Sequence, residues 1–414
     1  MNIHTITRAS YRQNADLTFK YNLHEGRHGW LRLTPAYSVR LVKIILEAGK
    51  PGIKVLDPFS GTGTTALCAA YMGFSATGLE INPFLYWFSQ VKAGTYAAET
   101  IGRTKDLGKV VLDAIRSPKT GSAAPPPIHN IERWWSHDAL GFLCRLKAAI
   151  AAAAEPNSPE HDLLLVAFCR TLIKHSNAAF NHQSMSFKKA NNEPALFPCE
   201  CDYGDSFLKE LLYVLEGAED NPEIEPKIVL GDARTPSRFL KDRHDLLITS
   251  PPYPNRISYI RELRPYMYWL GYLSNGRDAG EFDWQTIGGT WGIATSRLTD
   301  WRPSSDAFVP DYLNEIIRNI SAPANKNGAL LANYIAKYFE DIWNHIRDIS
   351  SVLSPGAEVH YIVGNSTFYD VVLPVEMIYR DMLAKCGFED AHILRIRKRN
   401  SKRELFEFDV VARK

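Results

Sequence analysis

Short apolar runs alternate along this chain with longer stretches in which apolar residues recur every three to four positions. Residues 38–48 carry Val39, Leu41, Val42, Ile44, Ile45 and Leu46 at helical spacing. IKVLD (53–57) is then a short β-rich run, GTGTT (61–65) a tight turn, and ALCAAYMG (66–73) a small-residue helix closed by Gly73. SATGLE (75–80) reads as a second strand and INPFLYWFSQVKA (81–93) as the helix after it. The strand pattern resumes at IVLGDA (228–233) and DLLITSPPY (245–253), the latter a buried strand stopped by two prolines. A long helix is predicted over about 329–353. EVHYIVGN (358–365) follows as a strand, LPVEMIYRDMLAKCG (373–387) as a helix, and AHILRIRKRN (391–400) with ELFEFDVVARK (404–414) as two closing strands. Strands and helices alternating this closely predict an α/β fold, Rossmann-like, with a mostly parallel sheet, helices on both faces and an antiparallel C-terminal hairpin.

Two long segments interrupt that alternation. Residues 95–226 contain the linker-like GSAAPPP (121–127), an alanine run (148–154) and the apolar LLLVAFCRTLI (163–173), so they read as a helical insertion. Residues 272–325 are rich in Gly, Ser, Trp and Asn and read as a loop-rich insertion. The core is then 1–94, 227–271 and 326–414. Loops of such length inside a compact fold are unusual unless they carry structure or function.

Composition adds boundaries. The 414 residues, 45% hydrophobic and 23% charged, suit an ordinary globular chain. A net charge of +2 neither demands nor excludes nucleic acid, so any basic surface is local. No apolar run is long enough for a membrane span, and the N-terminus lacks a charged start followed by an apolar core, which predicts no membrane partner and a cytoplasmic location. Of six cysteines, Cys68 and Cys169 sit in apolar helices as core thiols; Cys199 and Cys201 lack a second pair, so no metal is expected.

DPFSGTGTT (57–65) follows a strand and precedes a helix. Gly61, Gly63 and Ala66 satisfy the spacing that lets a nucleotide-like ligand approach backbone, and Glu80, at the end of the next strand, can accept both hydroxyls of a ribose. It is no phosphate-binding loop, because the required lysine is replaced by Thr64 and Thr65. A carboxylate at Asp57 repels a pyrophosphate and suits a cationic cofactor with an amino group and a sulfonium; capping of the turn is its structural alternative.

Ser250-Pro251-Pro252-Tyr253 ends another strand. Two prolines remove two backbone donors and stiffen the chain. Ser250 Oγ and the Pro251 carbonyl form an acceptor pair suited to a donor with two N–H bonds, and Tyr253 offers a face on which a base taken out of its helix can stack.

Together DPFSGTGTT, LEINP and TSPPY resemble the amino-methyltransferases of restriction–modification systems, which make N4-methylcytosine or N6-methyladenine in DNA. The resemblance implies S-adenosyl-L-methionine held by Asp57, Phe59, Ser60, Gly61, Gly63, Thr64, Thr65, Glu80 and Ile81, with Asp232 and Ala233 of GDA at its adenine ring. It places Thr34 and Pro35, in HGWLRLTPAYSVRLVKIIL (28–46), near its methionine end. Ser250, Pro251, Pro252 and Tyr253 are the implied catalytic set for direct methyl transfer to the exocyclic amine. Serine in the first position is commoner in the cytosine-N4 enzymes, aspartate in the adenine-N6 ones. A site-specific DNA methyltransferase acting on double-stranded DNA in a bacterial or archaeal cell, with a cognate endonuclease encoded separately, is the expectation. An RNA base methyltransferase and an NAD-dependent oxidoreductase are the alternatives; the oxidoreductase leaves the Ser-Pro-Pro-Tyr turn idle.

DNA contacts are expected from Arg256, Arg261 and Arg264 just after that turn, the last two on one side of a helix. Basic and aromatic residues also cluster at 132–135, 174–182 and 295–305, with Asn177, Asn181 and Arg297 as candidate readers of bases. Both insertions are candidate DNA-recognition regions.

Overall fold

The computed structural model describes residues 13–33, 36–117, 121–179, 186–187, 203–256, 258–290, 293–399 and 404–414. Thr34, Pro35, Asn181, Cys199 and Cys201 lie outside them.

Seven strands form one sheet: β1 (Lys54–Asp57), β2 (Ser75–Glu80), β3 (Lys227–Leu230), β4 (His244–Thr249), β5 (Leu353–Gly364), β6 (Glu389–Lys398) and β7 (Phe406–Arg413). Their order is β6-β7-β5-β4-β1-β2-β3. All neighbours pair in parallel except β7, which is antiparallel to both β5 and β6. The chain builds outward from β1 to β3 and then returns to lay β4 against β1 on its other side. That reversal leaves a crevice beyond the carboxyl ends of β1 and β4, where open α/β sheets take their ligands. Both sequence motifs start there, at Asp57 and just after Thr249.

Period-two alternation feeds two cores. Val55, Leu246, Ile248 and Ile362 pack against α1 (Val39–Leu46) and α2 (Thr64–Tyr71). Leu56, Leu247, Val359 and Val363 face the other way, onto α12 (Gly328–Ile349) and α13 (Val375–Lys385). The helix α3 (Pro83–Ala93), capped by Asn82 with Pro83 in its first turn, joins a third core with the insertion.

The first insertion is helical: α4 (Ala98–Arg116), α5 (His137–Ala153), α6 (Pro159–Lys174) and α7 (Tyr203–Glu219) pack on α3 and on α8 (Tyr259–Trp269) through Phe84, Leu143, Phe168, Leu211 and Trp269. The region 272–325 departs from the loop-rich expectation. It holds α9 (Gly276–Gln285), α10 (Ile293–Asp300) and α11 (Asp311–Ile320). A reciprocal cap between Asn275 and Asp278 starts α9, while Leu313 and Ile320 of α11 are buried in the sheet core with Ile316 and Ile317 packed against it. Among the described residues no helix is long and apolar enough to cross a membrane.

Candidate functional site

The glycine turn is a left-handed kink. Gly61 and Gly63 have φ of +53° and +72°, which side chains other than glycine rarely adopt. The Gly61 N–H donates to Glu80 Oε2 at 2.7 Å, and the Asn82 N–H to Glu80 Oε1 at 2.8 Å. Ser89 Oγ donates to the Gly61 carbonyl. Strand end, turn and following helix are thus one bonded unit.

A cleft of about 910 Å³, counted out to its open mouth, lies above the ends of β1, β2 and β4. Phe59, Ser60, Gly61 and Thr64 line it from the turn, Glu80 from the end of β2 with Ile81 just after it, and Asp232 and Ala233 from the segment after β3. Ser250 and Pro252 line the same space. The two sequence motifs therefore meet across one cleft. Leu33, Ala36 and Tyr37 of the N-terminal segment also border it. Gly63, Thr65, Pro251 and Tyr253 are each the chain neighbour of a residue that lines it.

Asp57 is 1% exposed and takes hydrogen bonds from the protein itself. Its Oδ1 accepts from Thr249 Oγ1 (2.6 Å) and Phe59 N (3.1 Å); its Oδ2 accepts from Thr65 Oγ1 (2.7 Å) and Tyr37 OH (3.3 Å). Burial pushes the carboxyl pKa up against those four donors. Asp57 braces β1 to β4 and holds the turn; it does not line the cleft.

Glu80 is different. Burial pushes its pKa to about 7 although the backbone N–H groups of Asn82, Gly61 and Ile81 oppose the shift. Ser60 Oγ, at the cleft wall, is buried and has no partner among the described residues. An orphaned hydroxyl, a carboxylate and an open turn without side chains are the donor and acceptor set that a ribose or amino-acid moiety requires.

The Ser-Pro-Pro-Tyr turn is held from behind. Tyr338 donates its hydroxyl to the Pro252 carbonyl at 2.8 Å and meets Tyr379 OH at 2.9 Å. Tyr253 donates to Glu407 Oε1 at 2.9 Å, and the Arg399 guanidinium covers one face of its ring at 4.9 Å. Glu407 is in turn gripped by Arg397.

Sequence reasoning missed several contributors. Gln285, Thr286 and Ile287 bring the second insertion into the cleft wall. Gly289 allows this approach, since a Cβ there would land on the Asp283 carbonyl. His345 packs edge-on against Phe59 at 4.8 Å and bridges the Ala233 carbonyl (2.6 Å) to Tyr361 OH (2.8 Å); burial pulls its pKa down to about 4. Arg234 clamps Asp232 with two nitrogens and reaches Asp341. Lys92, buried beneath the turn near Thr62 Oγ1, is drawn down to about 7 by burial. Only the helical register of 328–349 could have flagged Tyr338 and His345, which lie seven residues apart on its buried face.

Among the DNA candidates, Arg261 and Arg264 share one side of α8. Pro265 cannot donate to the Arg261 carbonyl, and Arg264 Nε does so instead at 3.3 Å. Arg256 is exposed, with φ +61° and its N–H on Tyr334 OH. Asn177 is exposed and holds the Arg133 and Trp134 carbonyls. Arg297 is bidentate on Glu281 and lies over Trp284, so that charge is already matched.

No family model matches the chain. It is similar along most of its length to Type II methyltransferase M.MvaI of Kocuria varians (19% identity; 89% of this chain, 82% of that one) and to M.BsoBI of Geobacillus stearothermophilus (22%; 96% and 86%). M.AvaI of a Nostoc strain is 21% identical over 91% of this chain and 82% of its own. Overlap with solved structures is low: TrmN from Thermus thermophilus has a TM-score of 0.29 at 12% identity (96% of this chain, 53% of that one). The rRNA methyltransferase aviRa from Streptomyces viridochromogenes has 0.32 at 12% (98% and 96%).

Proposed function

We propose that this chain transfers a methyl group from S-adenosylmethionine to the exocyclic amine of a base in double-stranded DNA, cytosine N4 ahead of adenine N6. The observation that carries it is the single cleft bordered both by the Ser60–Gly61 turn with Glu80 and by Ser250 with Pro252. The Type II relatives support the reaction class and a role in restriction–modification; a separately encoded endonuclease is the partner that goes with this reading.

Ser60, Gly61, Glu80 and Asp232 are the residues to hold the cofactor, which when bound supplies an electrophilic methyl on a sulfonium. Glu80 would accept from the ribose hydroxyls of that cofactor, which favours its ionised form. Ser250 Oγ and the Pro251 carbonyl accept the two N–H bonds of the target amine, making its nitrogen more pyramidal and directing its lone pair into the cleft. Positioning of this kind supplies several kcal/mol, on the order of 7 in favourable cases. Tyr338 fixes the Pro252 carbonyl and hence the plane of the turn. Tyr253, backed by Arg399 and anchored on Glu407, stacks the base through its opposite face.

The test is transfer from labelled cofactor to duplex DNA against tRNA, with the modified nucleoside identified after digestion. N4-methylcytosine is expected. Label only in tRNA, or cleft occupancy by NADH without S-adenosylhomocysteine binding, overturns the reading. Full activity in Ser250→Ala overturns the role of the turn.

A further inference from the structure

A second cleft opens at the far ends of α8 and α9. Arg133 and Trp134 of the first insertion border it, with Phe187, Arg264 and Tyr268, and Arg277 at the start of α9. It measures about 1380 Å³ out to its mouth, and its lining contains three arginines and His129 but no carboxylate. Asp278, next to Arg277, is turned back to accept the Ser274 and Asn275 N–H groups. Arg133 lies over the Phe187 ring at 4.7 Å and Arg264 over Trp134 at 5.5 Å, while Trp134 and Phe187 meet edge to face at 5.0 Å. Burial, and then the charge of Arg261, lowers Arg264 to about 10. An anion entering here relieves that crowding. Arg133 and Arg277 form no ion pair among the described residues. The turn carrying Arg133 and Trp134 is fixed by Asn130 at φ +52° and by Asn177, whose N–H donates to the Trp134 carbonyl at 2.7 Å. Clusters far apart in sequence thus converge on one basic, aromatic-walled cavity.

We propose that this second cleft binds one nucleotide of the DNA substrate, its phosphate on Arg133 and Arg277 and its base against the aromatic wall of Trp134, Phe187 and Tyr268. The proposal rests on the methyl-transfer reading and goes beyond it by assigning a contact to the first insertion. Cationic side chains beside aromatic faces are the chemistry that holds a nucleotide within a strand. The placement selects DNA over a free nucleotide. Ile260 of α8 borders the first cleft and Tyr268 the second, eight residues or about 12 Å apart along the helix, the rise of three to four base pairs. The nucleotide bound here flanks the target base and is not the target itself.

The test is fluorescence anisotropy of a labelled duplex, with S-adenosylhomocysteine present, across a salt series. The protein and an Arg133→Ala/Arg277→Ala variant are compared, and S-adenosylhomocysteine calorimetry serves as the folding control. The variant is expected to bind the duplex on the order of tenfold more weakly, with a log–log salt slope shallower by about one, and to bind S-adenosylhomocysteine as before. Unchanged affinity and slope in a variant that still binds S-adenosylhomocysteine overturn the second cleft while leaving the reaction intact. Binding of free deoxynucleoside monophosphate that the variant loses, with duplex affinity retained, also overturns it in favour of a small-molecule site. Weakened duplex binding by the variant, with no methyl transfer to DNA by the unaltered protein, sustains the cleft and overturns the reaction.

Discussion

Thr249 donates its hydroxyl to Asp57 at 2.6 Å, joining the last residue of β4 to the last residue of β1 across 192 positions of sequence. The contact ties the glycine turn to the Ser-Pro-Pro-Tyr turn, because the residues after each are the ones that border the first cleft.

Replacing Thr249 with Val keeps the shape and removes the donor. A carboxylate oxygen that is 1% exposed as part of Asp57 is then left one partner short. The expected loss is about 1–3 kcal/mol, read as a lower urea midpoint at constant m. S-adenosylhomocysteine affinity should fall with it; an unchanged midpoint would mean that Asp57 is satisfied by its other donors.

Tyr338→Phe removes only the hydroxyl that holds the Pro252 carbonyl. Its action is on the turn, so kcat is expected to drop about tenfold or more while S-adenosylhomocysteine binds as before. Equal losses in both would point to general loosening of the core around α12.

Glu80 carries a pKa raised to about 7. Ribose hydroxyls favour the ionised carboxylate, so ligand binding below pH 7 is expected to release up to one proton. Calorimetry at pH 6.5 in buffers of different ionisation enthalpy measures the release directly, and affinity should rise between pH 6 and 8. Glu80→Gln is expected to abolish the release. Proton uptake on binding would contradict the assigned role.

Lys92 is drawn down to about 7 by burial. Between that value and its ordinary value near 10.5 the unfolded chain binds the proton and the folded one does not, so this residue makes stability rise with pH over that window. Lys92→Met, close in volume and without charge, should flatten the rise and leave the protein at least as stable at pH 7. A steeper pH dependence in the variant would refute the assignment.

Much of the site was legible because it is local. The strand at 54–57, its glycine turn and the diproline after Thr249 are written in consecutive residues whose backbone options are few. The use of Asp57 was not legible. The sequence suggests a carboxylate facing a cationic cofactor, and the fold surrounds it with Thr249, Thr65, Tyr37 and the Phe59 N–H. Those donors come from four places in the chain, and only the packed sheet assembles them. The region 272–325 was misread because its scattered Gly, Ser and Asn carry loop signals. The local signals were present: Asn275 three residues before Asp278, and Leu313, Ile316, Ile317 and Ile320 at helical spacing in α11. That Gln285–Ile287 reach the cleft depends on Gly289 fitting against Asp283, a contact no periodicity reports.

The helices α8 and α9 each touch both clefts: Tyr259 and Ile260 at one end of α8 with Tyr268 at the other, Gln285 at one end of α9 with Gly276 and Arg277 at the other. Ligands in the two clefts would rest on the same pair of rods. Whatever factor the methyl donor's by-product adds to the protein's hold on DNA, DNA must return to the by-product in equal measure, since the coupling is one free energy seen from two sides.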